Sequence, residues 1–211
     1  MADSSILMAD STTNSHLFWG VRGGGCNFGV VTEFVLKLHP QRRNVFGGVC
    51  LFDLSVLDRL VDVTLEWWKR GPSKKEGMAQ VFGRGPDGKP MIKVLLFYNG
   101  SEEEGRSVYK EFFDLHPVVD MCREMPFEEM NTLQNNVAVH GRNVYWKGAS
   151  HTGGNPDLCK VLFDQVIERS SDPSFTVGLL TEYLGQLHSR RCYCLPSRCP
   201  KQHAHQRRLG E

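Results

Sequence analysis

The spacing of apolar residues predicts several helices in this chain. Between residue 55 and Arg70 the apolar positions follow a helical period, with Asp53 or Ser55 as N-cap and Gly71-Pro72 as the stop. Ser101 and Glu104 form a capping-box pattern at the start of another helix. Helices are predicted at about 17–19, 55–70, 101–115, 126–133 and 157–170.

Other stretches alternate apolar and polar residues with a period of two, as strands do. The segment Gly85-Pro86-Asp87-Gly88-Lys89 separates two of them and predicts a hairpin. Strands are predicted at about 5–9, 29–38, 49–52, 78–83, 91–98, 144–146 and 175–183. Helices and strands mixed in this way, with antiparallel hairpins, indicate an α+β layer architecture.

Composition narrows the class of protein. The chain has 211 residues, of which 40% are hydrophobic and 23% charged, as in globular proteins. Its formal net charge of +1 predicts no attraction to nucleic acid. No apolar run approaches the ~20 residues that cross a bilayer, so we expect no membrane partner. The N-terminus lacks the pattern of a signal peptide, and the location in the cell is left undetermined.

A glycine cluster, Gly23-Gly24-Gly25 followed by Gly29, is the strongest local motif. Glycine lets the backbone adopt positive φ and approach a ligand closely. A dinucleotide-binding or phosphate-binding loop follows a strand and opens a helix, whereas this cluster is predicted to follow a helix and open a strand. That order argues against both motifs. A tight turn without any ligand is the alternative.

The segment from Leu17 to Pro40 resembles the end of the flavin-binding domain in FAD-linked oxidases of the vanillyl-alcohol-oxidase superfamily. Within that superfamily it is most similar to the berberine-bridge-enzyme-like group, fungal type. The family pattern is an Asp-Leu-Phe-Trp-Ala-Leu-Arg helix, a Gly-Gly-Gly-Gly-Asn-Phe-Gly loop, then Ile/Val-Val-Thr and a strand ending in His-Pro. This sequence departs from the pattern at His16, where the family has Asp, and at Cys26, where it has a fourth glycine. The segment 142–148 is similar to a Tyr-Trp-Lys-Gly strand of fungal members.

The resemblance implies a domain organisation. Residues 1–40 would be the C-terminal end of a PCMH-type FAD-binding domain, and 41–189 part of an α+β substrate domain with an antiparallel sheet covered by helices. It also implies FAD as cofactor, which the backbone of the glycine loop would help to hold. The residues that match the family's loop are Gly24, Gly25, Asn27, Phe28, Gly29 and Val30.

Intact relatives oxidise an alcohol, a sugar or a secondary metabolite by hydride transfer to FAD, with molecular oxygen as acceptor, and are often secreted. Their FAD site is built mainly upstream, around an Arg-Gly-Gly-Gly-His segment whose His carries the flavin. No such segment precedes Met1, so we expect a fragment incomplete at both ends and without activity. A non-catalytic α+β fragment without flavin is the alternative.

For the catalytic acid or base, the resemblance points to the last predicted strand, which carries Glu182 and Tyr183. Tyr145 and Lys147 lie on another suitable strand. For all four, the alternative is an ordinary sheet residue that faces solvent.

The last 22 residues differ from the rest of the chain in amino-acid composition. They hold six of the 25 Lys and Arg residues, one of the 24 acidic residues and three of the seven cysteines. Cys192, Cys194, Cys199, His203 and His205 could be read as zinc ligands, but their spacing fits no standard finger. A neighbouring reading frame, with suitable codons, encodes Asp-Ala-Thr-Ala-Phe as fungal relatives do. We therefore favour an out-of-frame tail over a zinc site, and predict no metal.

Overall fold

The computed structural model describes residues 5–85, 87–135, 140–141, 143–145, 147–148, 156–172 and 176–184. The chain divides into two compact units, one ending at Gln41 and the other beginning at Arg42. The predicted tail at 190–211 lies outside the described residues. Among the residues that are described, no helix has the length and apolar character needed to cross a membrane.

The first unit contains helix α1 (Ser15–Val21) and a 3-10 turn (Gly25–Phe28). The predicted helix is confirmed, but Asn14 at its start makes no side-chain cap. Its side-chain amide donates instead to the carbonyl of Met8, at 2.7 Å.

Two strands predicted in the first unit are absent: residues 5–9 and 29–38 adopt no regular structure. The alternating pattern in 29–38 is compatible with a strand, but a strand needs a partner for its backbone hydrogen bonds. The described part of this unit contains no strand to pair with. Val35 and Leu36 are accordingly 90% and 75% exposed.

The second unit is built on an antiparallel sheet. Its strands are β1 (Asn44–Phe52), β2 (Glu76–Arg84), β3 (Pro90–Tyr98), β4 (Val119–Asp120), β5 (Arg123–Pro126) and β6 (Leu179–Leu184). Their order is β4-β1-β3-β2-β6, and β5 also pairs with β1. The predicted α+β class and the hairpin between β2 and β3 are confirmed.

Helices α2 (Leu57–Lys69), α3 (Glu102–Val108), α4 (Lys110–Phe113) and α5 (Pro156–Arg169) pack on one side of this sheet. The predicted capping box is confirmed, since Ser101 and Glu104 each accept the other's backbone N–H. The predicted helix at 126–133 is a 3-10 helix (Phe127–Thr132). The strand predicted at 144–146 is absent from its described residues 144 and 145, and Trp146 lies outside the described residues.

The two faces of the sheet differ in burial. The helix face is the one that the helices cover, and its side chains form the core. They are Phe46, Cys50, Phe52, Met78, Gln80, Phe82, Ile92, Val94 and Leu96. The open face carries the alternate positions of the same strands, and most of those on β2 and β3 are only half-buried. They include Gly77, Ala79, Val81, Lys93, Leu95 and Phe97.

Candidate functional site

The glycine loop of the first unit presents bare backbone to its surroundings. Gly23, Gly25 and Gly29 have φ values of 139°, 67° and 129°, which favour glycine over residues with a side chain. A Cβ at Gly23 or Gly25 would meet nothing within 4 Å. The backbone at these two positions therefore lies beside open space.

The side chains of Asn27 and Phe28 shape the loop itself. A Cβ on Gly24 would lie 2.2 Å from the Phe28 ring, and one on Gly20 would lie 2.8 Å from it. The Asn27 amide donates to the Gly24 carbonyl at 2.8 Å. Glycine at these two positions leaves room for the ring of Phe28, and Asn27 closes the turn.

These contacts divide the predicted cofactor-binding residues into two groups. Gly25, Gly29 and Val30 are exposed and leave their backbone accessible. Gly24 is half-buried, and its N–H donates to the Gly20 carbonyl at 2.8 Å. The loop thus suits a ligand that is held by backbone groups and not by the side chains of Asn27 or Phe28.

In the second unit, the structure places the predicted catalytic pair on opposite faces of β6. Glu182 pairs with Ala79 on the open face and is exposed. Tyr183 pairs with Met78 on the helix face and is 9% exposed. Adjacent residues of a strand point to opposite sides, so no single site can use both side chains.

Glu182 borders a shallow depression of about 170 Å³ on the open face. Gly77 and Ala79 of β2, Leu95 and Phe97 of β3, and Met130 contribute to its lining. Among the described residues, Glu182 has no ion-pair partner. A carboxylate beside a small, mostly apolar depression can accept a proton from a bound polar molecule.

Tyr183 is enclosed by aromatic rings. The ring centroids of Trp67 and Trp68 lie 6.2 and 5.8 Å from that of Tyr183. Burial raises the pKa of Tyr183, so its hydroxyl stays protonated across the physiological range. Of the other two candidates, Tyr145 is 86% exposed, and both it and Lys147 lie outside any strand.

Tyr109 is a residue of this region that the sequence did not single out. It is fully buried beneath the sheet, and its hydroxyl lies 3.0 Å from the Gly77 carbonyl and 2.8 Å from the Phe97 carbonyl. The hydroxyl also accepts the Gly77 N–H at 3.2 Å. Tyr109 therefore fixes the two strands that line the depression. No sequence motif marks it, because the contact joins positions 32 residues apart.

No protein-family model matches the chain. Several individual proteins are similar to it in sequence. An FAD-linked oxidoreductase of Dictyostelium discoideum is 26% identical over 175 residues, which are 82% of this chain and 37% of that protein. The FAD-linked oxidoreductase pgmH of Aspergillus terreus is 31% identical over 155 residues, 72% of this chain and 31% of its own length. The FAD-linked oxidoreductase fogF of Aspergillus ruber is 29% identical over 133 residues.

The chain thus spans about a third of the length of the curated relatives it matches. The similarity covers most of this chain in the first two of them. The names of these relatives agree with the FAD linkage that the resemblance of the glycine loop implies. Together these matches support the assignment of the chain to the FAD-linked oxidoreductases.

Proposed function

We propose that this chain is part of an FAD-dependent oxidoreductase that oxidises an alcohol, a sugar or a secondary metabolite, with molecular oxygen as acceptor. The observation that carries the proposal is the exposed backbone of the glycine loop. Exposed peptide groups at Gly25, Gly29 and Val30 can hydrogen-bond to a cofactor's polar atoms without a charge. The names of the relatives support FAD as that cofactor.

The residues of the loop fit a backbone contact to FAD. Open space beside Gly25 gives a large ligand access to the chain, and the Phe28 ring stiffens the turn by filling the space over Gly20 and Gly24. We assign the direct contacts to Gly25, Gly29 and Val30. Gly24, Asn27 and Phe28 would hold the loop in shape.

The open face of the sheet would receive the substrate. Bound FAD supplies the acceptor for the substrate's hydride. The Glu182 carboxylate would take the proton of the hydroxyl that is oxidised, so that the proton and the hydride leave the substrate by different routes. The apolar side chains of Leu95, Phe97 and Met130 would contact the carbon atoms of the substrate.

Titration of the full chain with FAD, followed by quenching of FAD fluorescence, tests cofactor binding. We expect saturable binding that Gly25→Ala weakens at least tenfold, because alanine strains a backbone with φ of 67° and covers it. Gly71→Ala is the matched control: its φ is 75°, it also faces open space, and it lies outside the loop. Absence of saturable binding would contradict the proposal and would favour the alternative, a non-catalytic α+β fragment that binds no flavin.

Reduction of the bound flavin by a panel of alcohols and sugars, measured on the whole enzyme of which this chain is a part, tests the role of Glu182. Removal of a general base lowers rates by roughly 100-fold to 10,000-fold, and we expect a loss in that range for Glu182→Gln. Glu66→Gln, on an exposed helix surface, is the control and should keep the parent rate. Equal rates for Glu182→Gln and the parent protein would assign the proton transfer to another group.

A further inference from the structure

Two cysteines and an aspartate that are far apart in sequence meet at one edge of the sheet. Cys50 lies on β1, Asp120 pairs with it from β4, and Cys122 follows two residues later. The sulfur atoms of Cys50 and Cys122 are 3.5 Å apart, and Cys50 Sγ is 3.9 Å from Asp120 Oδ1. One ligand atom from each of the three residues lies within 4.8 Å of the others.

We propose that Cys50, Asp120 and Cys122 form a binding site for a zinc ion or a similar thiophilic divalent cation. With bond lengths of about 2.3 Å to sulfur and 2.1 Å to oxygen, a tetrahedral zinc ion holds two sulfurs about 3.8 Å apart and a sulfur and an oxygen about 3.6 Å apart. The two distances in the structure differ from these values by only about 0.3 Å. Two of the three ligand-to-ligand distances are thus close to the spacing that the ion requires, and the third is at most 4.8 Å.

The backbone around the cluster fixes the three ligands. The Cys122 N–H donates to Asp120 Oδ1 at 2.8 Å, which locks the turn between these residues. Gly48, opposite the turn, gives it room: a Cβ there would lie 2.6 Å from the Cys122 Cα. Both cysteines are buried, at 0% and 5% exposure, while Asp120 reaches the surface. The ion would enter from the side of Asp120, where water can supply a fourth ligand.

Arg106 places a positive charge beside the site. Two thiolates and one carboxylate around a divalent cation carry a net charge of −1. The Arg106 guanidinium lies 3.0 Å from Asp120 Oδ2 and also donates to the Cys122 carbonyl at 2.8 Å. Arg106 also pairs with Glu102 at 2.7 Å, so its positive charge offsets the negative charge of the site only in part. Binding of the ion displaces the protons of both thiols, because a thiol coordinates as the thiolate.

Binding of Zn²⁺ and of Co²⁺ to the full chain tests the site. The parent for this test carries Cys192→Ser, Cys194→Ser and Cys199→Ser, so that thiols of the tail cannot contribute. In a non-thiol reductant we expect one Zn²⁺ per chain, release of two protons, and a sulfur-to-cobalt charge-transfer band with Co²⁺ that Zn²⁺ abolishes. Absence of the band in this parent would overturn the proposal.

Three variants identify the ligands. Cys50→Ser and Cys122→Ser should each lower Zn²⁺ affinity at least 100-fold, and circular dichroism verifies their folding. Asp120→Asn keeps an oxygen for the Cys122 N–H and should fold normally, with lower affinity for Zn²⁺ because the ligand loses its charge, and with the cobalt–sulfur band retained. Cys159→Ser removes a thiol outside the cluster and should leave both the Zn²⁺ affinity and the cobalt–sulfur band unchanged.

Two outcomes would contradict the site. One is Zn²⁺ binding that survives Cys50→Ser combined with Cys122→Ser, since the metal would then lie elsewhere. The other is a chain that binds no Zn²⁺ in reductant and forms a Cys50–Cys122 disulfide on exposure to hydrogen peroxide, seen as the loss of two hydrogen atoms in its mass. The pair would then be a redox-active dithiol and not a metal site. Neither result depends on FAD binding, so this proposal and the proposed function can fail separately.

Discussion

The indole N–H of Trp67 donates to the carboxylate of Glu76 at 2.9 Å, inside the core. Arg70 donates to the same carboxylate oxygen at 2.6 Å, and the Ser73 N–H donates to the other oxygen at 2.9 Å. Glu76 is thus a buried charge with a full set of partners, and it joins the end of α2 to the start of β2. Such a group stabilises a fold only while its partners remain in place.

Replacement of Glu76 by glutamine should lower the free energy of unfolding by about 2 kcal/mol, because a charged hydrogen-bond acceptor for Arg70 and Trp67 is lost. Urea denaturation measures this change. Glu66→Gln is the control, since Glu66 pairs with Lys69 on an exposed surface and should cost at most ~0.5 kcal/mol. Equal effects of the two substitutions would contradict the buried network.

The same carboxylate should make stability depend on pH. Burial acts to raise the pKa of Glu76, but hydrogen bonds from Arg70 and Ser73 outweigh burial, and the pKa lies below its ordinary value. A lowered pKa in the folded state adds stability above the unfolded-state pKa of about 4.3, and this stability is lost as the pH falls through the folded-state value. The difference in unfolding free energy between parent and Glu76→Gln should therefore shrink as pH drops below about 5. A difference that stays constant down to pH 3 would refute this assignment.

Tyr109 should contribute to stability through its hydroxyl. Tyr109→Phe leaves the Gly77 N–H and the Phe97 carbonyl without that partner, and we expect a loss of about 1–3 kcal/mol. Tyr145→Phe, at an 86% exposed position, should have no measurable effect. Thermal unfolding of both variants measures the difference, and a neutral Tyr109→Phe would contradict the contact.

Gly48 should tolerate no side chain. An alanine Cβ there would lie 2.5 Å from the Met121 carbonyl oxygen, at a φ of 153°, so Gly48→Ala should destabilise the chain by at least ~2 kcal/mol. At Gly77 an added Cβ would meet the Phe97 side chain at 3.6 Å, an ordinary contact. Gly77→Ala should accordingly stay within ~1 kcal/mol of the parent in urea denaturation. The opposite ranking of the two variants would count against the described approach of β1 to the turn.

A charged side chain introduced into the apolar segment 29–38 should not destabilise the fold. Leu36 is 75% exposed, so Leu36→Lys should change the free energy of unfolding by no more than ~0.5 kcal/mol. A large loss of stability would instead mean that this segment is paired and buried in solution. Thermal unfolding distinguishes the two outcomes.

Elements with local signals were predicted well from the sequence. The capping box at Ser101 and the hairpin at 85–89 each depend on residues close together in the chain, and both are present. Strands β4 and β5 were missed because they have two and four residues and exist through pairing with β1. The pattern in 29–38 was misleading, since alternation describes a possible strand and does not supply the partner.

The candidate site was predictable in part. The sequence placed Glu182 and Tyr183 on one strand, and alternation within a strand already requires that they face opposite ways. Which of them faces the helices depends on where α2 packs, and the sequence pattern does not specify that. Cys50 and Cys122 are 72 positions apart, so no local motif in the sequence predicts that they meet.

The division of the sheet into a helix face and an open face has a consequence for how such a chain can vary. Substitutions on the helix face open cavities or crowd the core, and each change costs stability. Side chains at positions such as Ala79, Lys93 and Leu95 are only half-buried, so exchanging them costs less stability than a change in the core. The same scaffold can therefore diversify its exposed surface while its core stays constant.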